Sequence, residues 1–166
     1  MKTAVRIILL VLTLACVVFI FSNSLRNARS SSEQRGRVTQ FIADVYESIT
    51  GKIINPARIT HVVRKVAHFS EFALLGLLGT ASAASVFGTV YGKIHVILFW
   101  GLASAVTDEY LQRFSTGRSA SVTDVMLDFS GFFVGFALAW LIFTIVKGIR
   151  RKHEVGSMGK MGISVS

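Results

Sequence analysis

Four stretches of the chain are apolar over the length that a lipid bilayer demands, and this limits the fold more than any other property of the sequence. A helix needs about 20 mostly apolar residues to cross the hydrocarbon core. The stretches run from Val5 to Phe21, from Val66 to about Gly88, from Ile94 to about Leu111 and from Val122 to Val146. Backbone N–H and C=O groups in lipid must be paired within the protein, so these spans are expected as helices. The expected fold class is all-α: an integral membrane bundle of four transmembrane helices over residues 1–146, with a basic and then flexible tail over 147–166. The loose part of that tail is expected from Gly156 onward. The chain carries no internal repeat and no low-complexity tract.

Composition narrows the function classes. Hydrophobic residues make up 52% of the 166 positions, which excludes disorder for most of the chain. Cys16 is the only cysteine, so a disulfide framework, a cysteine-based zinc finger and a redox pair are all excluded. The formal net charge is +9. The basic residues gather between the apolar runs without a basic-aromatic motif, so the charge reads as membrane flanks facing anionic lipid, and no nucleic-acid partner is expected.

The first apolar stretch has a second reading. Lys2 and Arg6, an apolar core, and Ser22 and Ser24 in a small-x-small pattern also describe a signal peptide. Read as a span, it shares with the others a sidedness that the basic residues divide almost evenly, eight on one side and ten on the other. The cluster Lys147, Arg150, Arg151 and Lys152 favours cytoplasmic termini, whereas Arg64 and Lys65 argue the opposite way. The long first loop contains Val38, Phe41, Ile42, Val45 and Ile49 on one helical face, with Arg35, Asp44 and Glu47 off it. This is the pattern of an additional amphipathic helix, lying on the membrane or packed over the mouth of the bundle. Asn55-Pro56 then makes a helix start.

The acidic residues are the most informative. Of nine, five fall in the expected spans or at their ends: Glu71, Asp108, Glu109, Asp124 and Asp128. An Asp at mid-helix costs about 2.5–3.5 kcal/mol on insertion scales. In a four-span topology the start of the second span, the end of the third and the start of the fourth share one side of the membrane, so these five groups converge there. Ser22, Asn23 and Ser24 open on that side too. At 100° per residue, His61, Arg64, His68 and Glu71 fall within an arc of about 80°. Gly101, Ser104, Asp108 and Gln112 form a second stripe, and Asp124, Asp128, Gly131 and Gly135 a third. The G-x-x-x-G spacing of Gly131 and Gly135 permits close helix contact, which turns the face bearing Asp124 and Asp128 into the bundle.

These same residues carry a family resemblance. Arg64-Lys65-Val66-Ala67-His68-Phe69-Ser70-Glu71-Phe72 resembles the R-K-x-A-H-F-x-E-[FY] motif of VanZ-like membrane proteins. Asp108-Glu109-Tyr110-Leu111-Gln112-Arg113-Phe114 resembles that family's D-E-x-x-Q-x-F. The segment from Gly117-Arg118 to Asp124, followed by Asp128 and Gly131, resembles its G-R-x-x-x-x-x-D block, with Thr116 where the family usually has Pro. The resemblance covers about residues 5 to 146. It implies a small polytopic helical protein of the bacterial cell membrane and a cell-envelope theme, the family being named after a protein associated with teicoplanin resistance. It implies no particular reaction.

Three uses of the polar groups stand open. Four basic residues (Arg64, Lys65, Arg113, Arg118) face the five acids, and a protonated His68 would balance them, so a purely structural ion-pair network is one. A second is a site for a membrane lipid or lipid-linked envelope precursor. There Arg64 and Arg118 would contact phosphate, while Gln112, Asp124 and Asp128, with Asp108 and Glu109, would bond a sugar or headgroup. The third is an intramembrane hydrolase or transferase. His68 and Glu71 would either be an acid/base pair assisted by Asp108 and Glu109, or join Asp108, Asp124 and Asp128 around a divalent metal, an oxygen-rich set with one His suiting Mg²⁺, Mn²⁺ or Zn²⁺. No H-E-x-x-H or nucleophile-elbow motif is present; Ser70, Ser119 and Ser121 are candidate nucleophiles whose ordinary use is capping or turning. A proton pathway fits poorly, because the acids gather at one end of the spans. His95, Trp100, Trp140 and His153 read as interfacial, packing or tail residues.

Overall fold

The computed structural model describes residues 3–25, 40–45, 47–51, 56–114 and 121–160. Among the described residues the chain is helical, without strands. Its long helices are α1 (Thr3–Leu25), α2 (Pro56–Phe87), α3 (Ile94–Gln112) and α4 (Val122–Lys160), with a single 3₁₀ turn at Tyr91–Lys93 between α2 and α3. Three of them are long and apolar enough to cross a membrane: Thr3–Leu25, Arg58–Phe87 and Val122–Ile149. The remaining helix, α3, has 19 residues and carries Asp108 and Glu109 in its last turns. At 1.5 Å per residue it is about 28 Å long, close to the thickness of a hydrocarbon core.

Two helices run past the boundaries expected from hydropathy. α2 begins at Pro56, the helix start expected there, well before the apolar run at Val66, because Arg58, His61, Arg64 and Lys65 are helix-compatible residues whose polarity lowers hydropathy without breaking the helix. α4 continues to Lys160 rather than ending near Val146 and loosening from Gly156. Its extension holds no proline and carries five Lys and Arg residues, which are good helix formers, so the helix outlasts its apolar character. α2 ends at Gly88, whose φ of 69° is the left-handed conformation that glycine adopts freely, and whose N–H donates to Ala84 O at 3.0 Å. The chain then turns on Val90, fully buried, before α3.

α2 and α4 form the closest helix pair, for a reason visible in their glycines. A Cβ on Gly131 would strike Phe69 O, one on Gly135 would strike Ala73 O, and one on Gly76 would strike Phe132 O. Hydrogen at these positions lets the two backbones meet directly. The apolar core above this seam is built from Cys16, Ile20, Phe72, Leu75, Val90, Ile97, Ala105, Phe132 and Phe136. Phe132 lies over Gly101 and meets Trp100 edge to face at 5.9 Å. Trp140 packs between Tyr91 and Phe136, with ring centroids 5.9 and 6.2 Å away, so both tryptophans serve packing. α1 lies against α2 and α3 and is tied to α2 by a 2.8 Å hydrogen bond between the Thr13 and Ser82 hydroxyls. The rest of α1 presents Ile7, Ile8, Val11, Leu14, Val18 and Phe19 outward, an apolar surface of the kind that faces lipid.

In the first loop, residues 40–45 and 47–50 are helical. Phe41, Ile42, Val45 and Ile49 are all exposed there, so the apolar face expected at these positions is not buried against the bundle. Val38, Arg35 and Asn55 lie outside the described residues, as do Arg118 and Ser119.

Candidate functional site

The C-terminal end of α1, the N-terminal half of α2, the C-terminal end of α3 and the N-terminal end of α4 come together at one end of the bundle. Each contributes the polar stripe that its periodicity describes. On α3, Gly101, Ser104, Asp108 and Gln112 are all buried. On α4, Asp128, Gly131 and Gly135 are buried and Asp124 is half-buried. On α2, Arg64, His68 and Glu71 are half-buried, whereas His61 at the outer end of the arc is exposed.

The centre of the site is His68 with Asp108 and Asp128. His68 Nδ1 lies 3.7 Å from Asp108 Oδ2 and 3.7 Å from Asp128 Oδ1. One donor atom from each of the three residues lies within 4.8 Å of the others, and the two carboxylates are 0% and 1% exposed. Asp108 is held from two sides. Ser24 Oγ donates to its Oδ1 at 2.5 Å, and Gln112 Nε2 donates to its Oδ2 at 3.1 Å. Gln112 is in turn oriented by Arg64, whose Nη2 donates to Gln112 Oε1 at 2.9 Å. The amide therefore passes the influence of an exposed-side guanidinium to a buried carboxylate. Asp128 stands differently: both of its oxygens are buried without a hydrogen-bond partner among the described residues.

Around this centre the other acids are each committed to a neighbour. Asn23 Nδ2 on α1 donates to Glu71 Oε1 at 3.3 Å. Lys65 Nζ lies 3.7 Å from Asp124 Oδ1. Glu109 Oε1 accepts the Ser121 N–H at 2.6 Å, while Ser121 Oγ accepts the Thr123 N–H at 3.2 Å. Ser121 is thus the N-cap of α4, and Glu109 fastens that cap to the end of α3. A small cavity of about 10 Å³, lined by Arg64, Lys65, His68, Gln112, Asp124, Leu127 and Asp128, opens beside the centre. That is about the space one water needs.

The convergence expected from topology is thus seen for His68, Glu71, Asp108, Glu109, Gln112, Arg64, Asp124 and Asp128. Their partnerships differ from the sequence pairing. His68 and Glu71 are three residues apart on α2, yet His68 faces Asp108 and Asp128 while Glu71 faces Asn23. Asp124 pairs with Lys65 at the rim and is not one of the three clustered donors. Ser70 Oγ bonds back to Val66 O at 2.7 Å on an exposed face, and Ser121 caps a helix, so neither is placed as a nucleophile. Sequence reasoning placed Asn23 and Ser24 on this side and counted Lys65 in the ion-pair network, but named none of the three as catalytic or ligand-binding. The signal for the first two was present: polar side chains ending an otherwise apolar helix on the side where the acids gather.

The arrangement offers two chemistries. The centre is a donor set of two carboxylates and an imidazole, suited to a cation. The rim brings a guanidinium and an ammonium group, suited to an anion. In comparisons with known proteins, the sequence model of the VanZ/LLP1 family matches residues 7–144. No curated protein and no solved structure matches the chain. The matched range takes in α2 and α3 whole, most of α1, the first part of α4, and every residue of the centre and its rim.

Proposed function

We propose, since the chain belongs to the VanZ/LLP1 family, that it is a multi-pass protein of the bacterial cell membrane whose polar face recognises a phosphate-bearing lipid headgroup or lipid-linked envelope precursor. Three helices apolar enough to span, together with family membership, support the membrane setting. In this reading α3 crosses as the remaining span, and the exposed apolar residues Phe41, Ile42, Val45 and Ile49 rest on the membrane surface. The C-terminal cluster Lys147, Arg150, Arg151 and Lys152 favours a cytoplasmic C-terminus, which turns the polar face outward.

The observation that carries the proposal is that Arg64 and Lys65 stand together at the rim of the site, beside Gln112, Asp124 and Asp128. Arg64 spends one of its five N–H donors on Gln112 and keeps the planar fork that suits phosphate oxygens. Lys65 is held by a single rim carboxylate at 3.7 Å, an exposed pairing weak enough for a headgroup to displace. Arg118, which the family resemblance places in the third loop, would add a second guanidinium.

The test is the lipid that leaves the membrane with the protein. Wild type, Arg64→Ala and Lys65→Ala are purified in mild detergent and their bound lipids identified by native mass spectrometry. Enrichment of one phosphate-bearing species in wild type, lost in both variants, is expected. Copurified lipid in the bulk proportions of the membrane, the same in all three proteins, would overturn the proposal.

A further inference from the structure

We infer that His68, Asp108 and Asp128 form a binding site for one divalent transition-metal ion, of which Zn²⁺ and Mn²⁺ suit the donor set best. The inference rests on the donor geometry and stands whatever the outer rim recognises.

The first ground is geometric. Three side chains from three different helices direct one donor atom each into a space 4.8 Å across. His68 Nδ1 is 3.7 Å from each carboxylate, which is too far for a hydrogen bond and near the separation that a shared ion imposes. Two donors each about 2.1 Å from a tetrahedral ion lie about 3.4 Å apart, so the two His68 pairs need to close by only a few tenths of an ångström, while the carboxylate pair, within 4.8 Å, has further to come. The second ground is independent of the spacing. Asp128 is 1% exposed, and neither of its oxygens has a hydrogen-bond partner among the described residues. A carboxylate taken from water into a helix bundle with no donor to meet it is costly. A dication between Asp108 and Asp128 supplies that missing partner and cancels both charges.

The surroundings fit the same role. Asp108 is already oriented by Ser24 and Gln112, and each carboxylate oxygen has a second lone pair to offer. Groups that orient a ligand in this way characteristically accompany metal sites. The imidazole among the donors selects against Ca²⁺ and Mg²⁺, which favour all-oxygen shells, and towards the first-row transition series and zinc. With three protein donors the ion keeps at least one position open, and the cavity of about 10 Å³ next to Asp128 is the size of the water that would occupy it. The open position is also where a phosphate oxygen of a headgroup held by Arg64 and Lys65 would arrive.

The test reads metal, not activity. Full-length protein is purified in detergent without chelator and its metal content measured by inductively coupled plasma mass spectrometry. Protein stripped with EDTA is then titrated with Zn²⁺, Mn²⁺ and Mg²⁺ while thermal unfolding is followed, and Co²⁺ is added to record a visible ligand-field spectrum. Near-stoichiometric metal, a saturable rise in Tm with Zn²⁺ or Mn²⁺ but not Mg²⁺, and a nitrogen–oxygen cobalt spectrum are expected. His68→Gln and Asp128→Asn should each weaken binding by at least about tenfold, while Gly148→Ala, in open space away from the cluster, leaves it unchanged. Metal-free wild type with no Tm response to either ion overturns the site, and so does Asp128→Asn binding as tightly as wild type. Should the variants fold poorly, the wild-type titration and the cobalt spectrum decide alone. A lipid-binding protein that carries no metal would overturn this inference and leave the headgroup proposal standing; the reverse holds for a metal-loaded protein without lipid.

Discussion

Ser24, in the last turn of α1, donates its hydroxyl to Asp108 Oδ1 at 2.5 Å across 84 residues of sequence. Both side chains are completely buried. The bond ties the end of the first helix to the end of the third, at the point where Asp108 also meets Gln112 and faces His68. α1 is therefore part of the polar site as well as of the apolar core.

Ser24→Ala removes this donor and leaves a buried carboxylate oxygen short of one hydrogen bond. Hydrogen bonds to charged groups contribute about 1.5–3 kcal/mol. The variant is expected to lose stability of that order, read as a lower unfolding temperature in detergent. An unfolding temperature equal to that of wild type would show that α1 does not hold Asp108.

The α2–α4 seam makes a contrasting prediction about backbone approach. Gly135→Ala adds a methyl group that meets Ala73 O, a main-chain atom that cannot rotate aside. Overpacking of this kind costs about 1–3 kcal/mol and outweighs the gain of about 1 kcal/mol in helix propensity. Gly148→Ala, on the same helix with open space around it, gains propensity alone. Membrane levels and unfolding temperatures of the two variants should therefore move in opposite directions. A common response would mean that the seam is looser than its glycines indicate.

How much of this was legible beforehand follows from what periodicity can see. The apolar runs marked the helical cores, and the 3.6-residue period placed Asp108 with Gln112, and Asp128 with Gly131 and Gly135, on buried faces. Hydropathy alone could not see the polar first turns of α2, since Arg58, His61 and Arg64 are equally at home in a loop; the helix start at Asn55-Pro56 and the shared arc of His61, Arg64, His68 and Glu71 were what marked them. Nor could spacing choose partners. His68 and Glu71 share a helix face, but which acid His68 meets depends on how α3 and α4 pack against α2, and that is decided by Gly76, Gly131 and Gly135 letting two backbones touch. The role of Ser121 needed tertiary information of the same sort: its side chain caps its own helix, as composition suggests, while its N–H reaches across to Glu109.

That cap yields the third prediction. Ser121→Ala removes the side-chain acceptor for the Thr123 N–H, a loss of about 1 kcal/mol in typical N-caps. Glu109→Gln keeps an acceptor for the Ser121 N–H but replaces a charged one, and should cost less than Glu109→Ala, which deletes it. Unfolding temperatures in the order wild type, Glu109→Gln, Glu109→Ala are expected. Equal values for the last two would indicate that the α3–α4 junction does not depend on this bond.

Lys65 separates stability from recognition. Its pairing with Asp124 is long and partly solvent-exposed, with side-chain exposures of 37% and 27%, so its worth to the fold is at most about 1 kcal/mol. Lys65→Ala should leave the unfolding temperature nearly unchanged while reducing the copurified phosphate-bearing lipid severalfold. A large fall in stability would instead place Lys65 in a structural ion-pair network.

The family's association with teicoplanin gives the last prediction, and Glu71 makes it specific. In a teicoplanin-sensitive Gram-positive host, expression of the wild-type chain is expected to raise the inhibitory concentration above that of the empty vector. Glu71 sits where α2 meets α1, half-buried, with its Oε1 accepting from Asn23. Glu71→Gln preserves the shape of the side chain and an acceptor for Asn23 while removing the charge, so the bundle should assemble and the electrostatics of the polar face should change. If protection depends on that face, the variant gives less of it at equal membrane abundance, which immunoblotting of membrane fractions would verify. If wild type protects and the variant protects equally, envelope function does not run through the charge of Glu71, and the Arg64 and Lys65 rim becomes the face to vary. If wild type gives no protection at equal abundance, the headgroup recognised at this face has no part in glycopeptide action, and the bound lipid alone defines the substrate class.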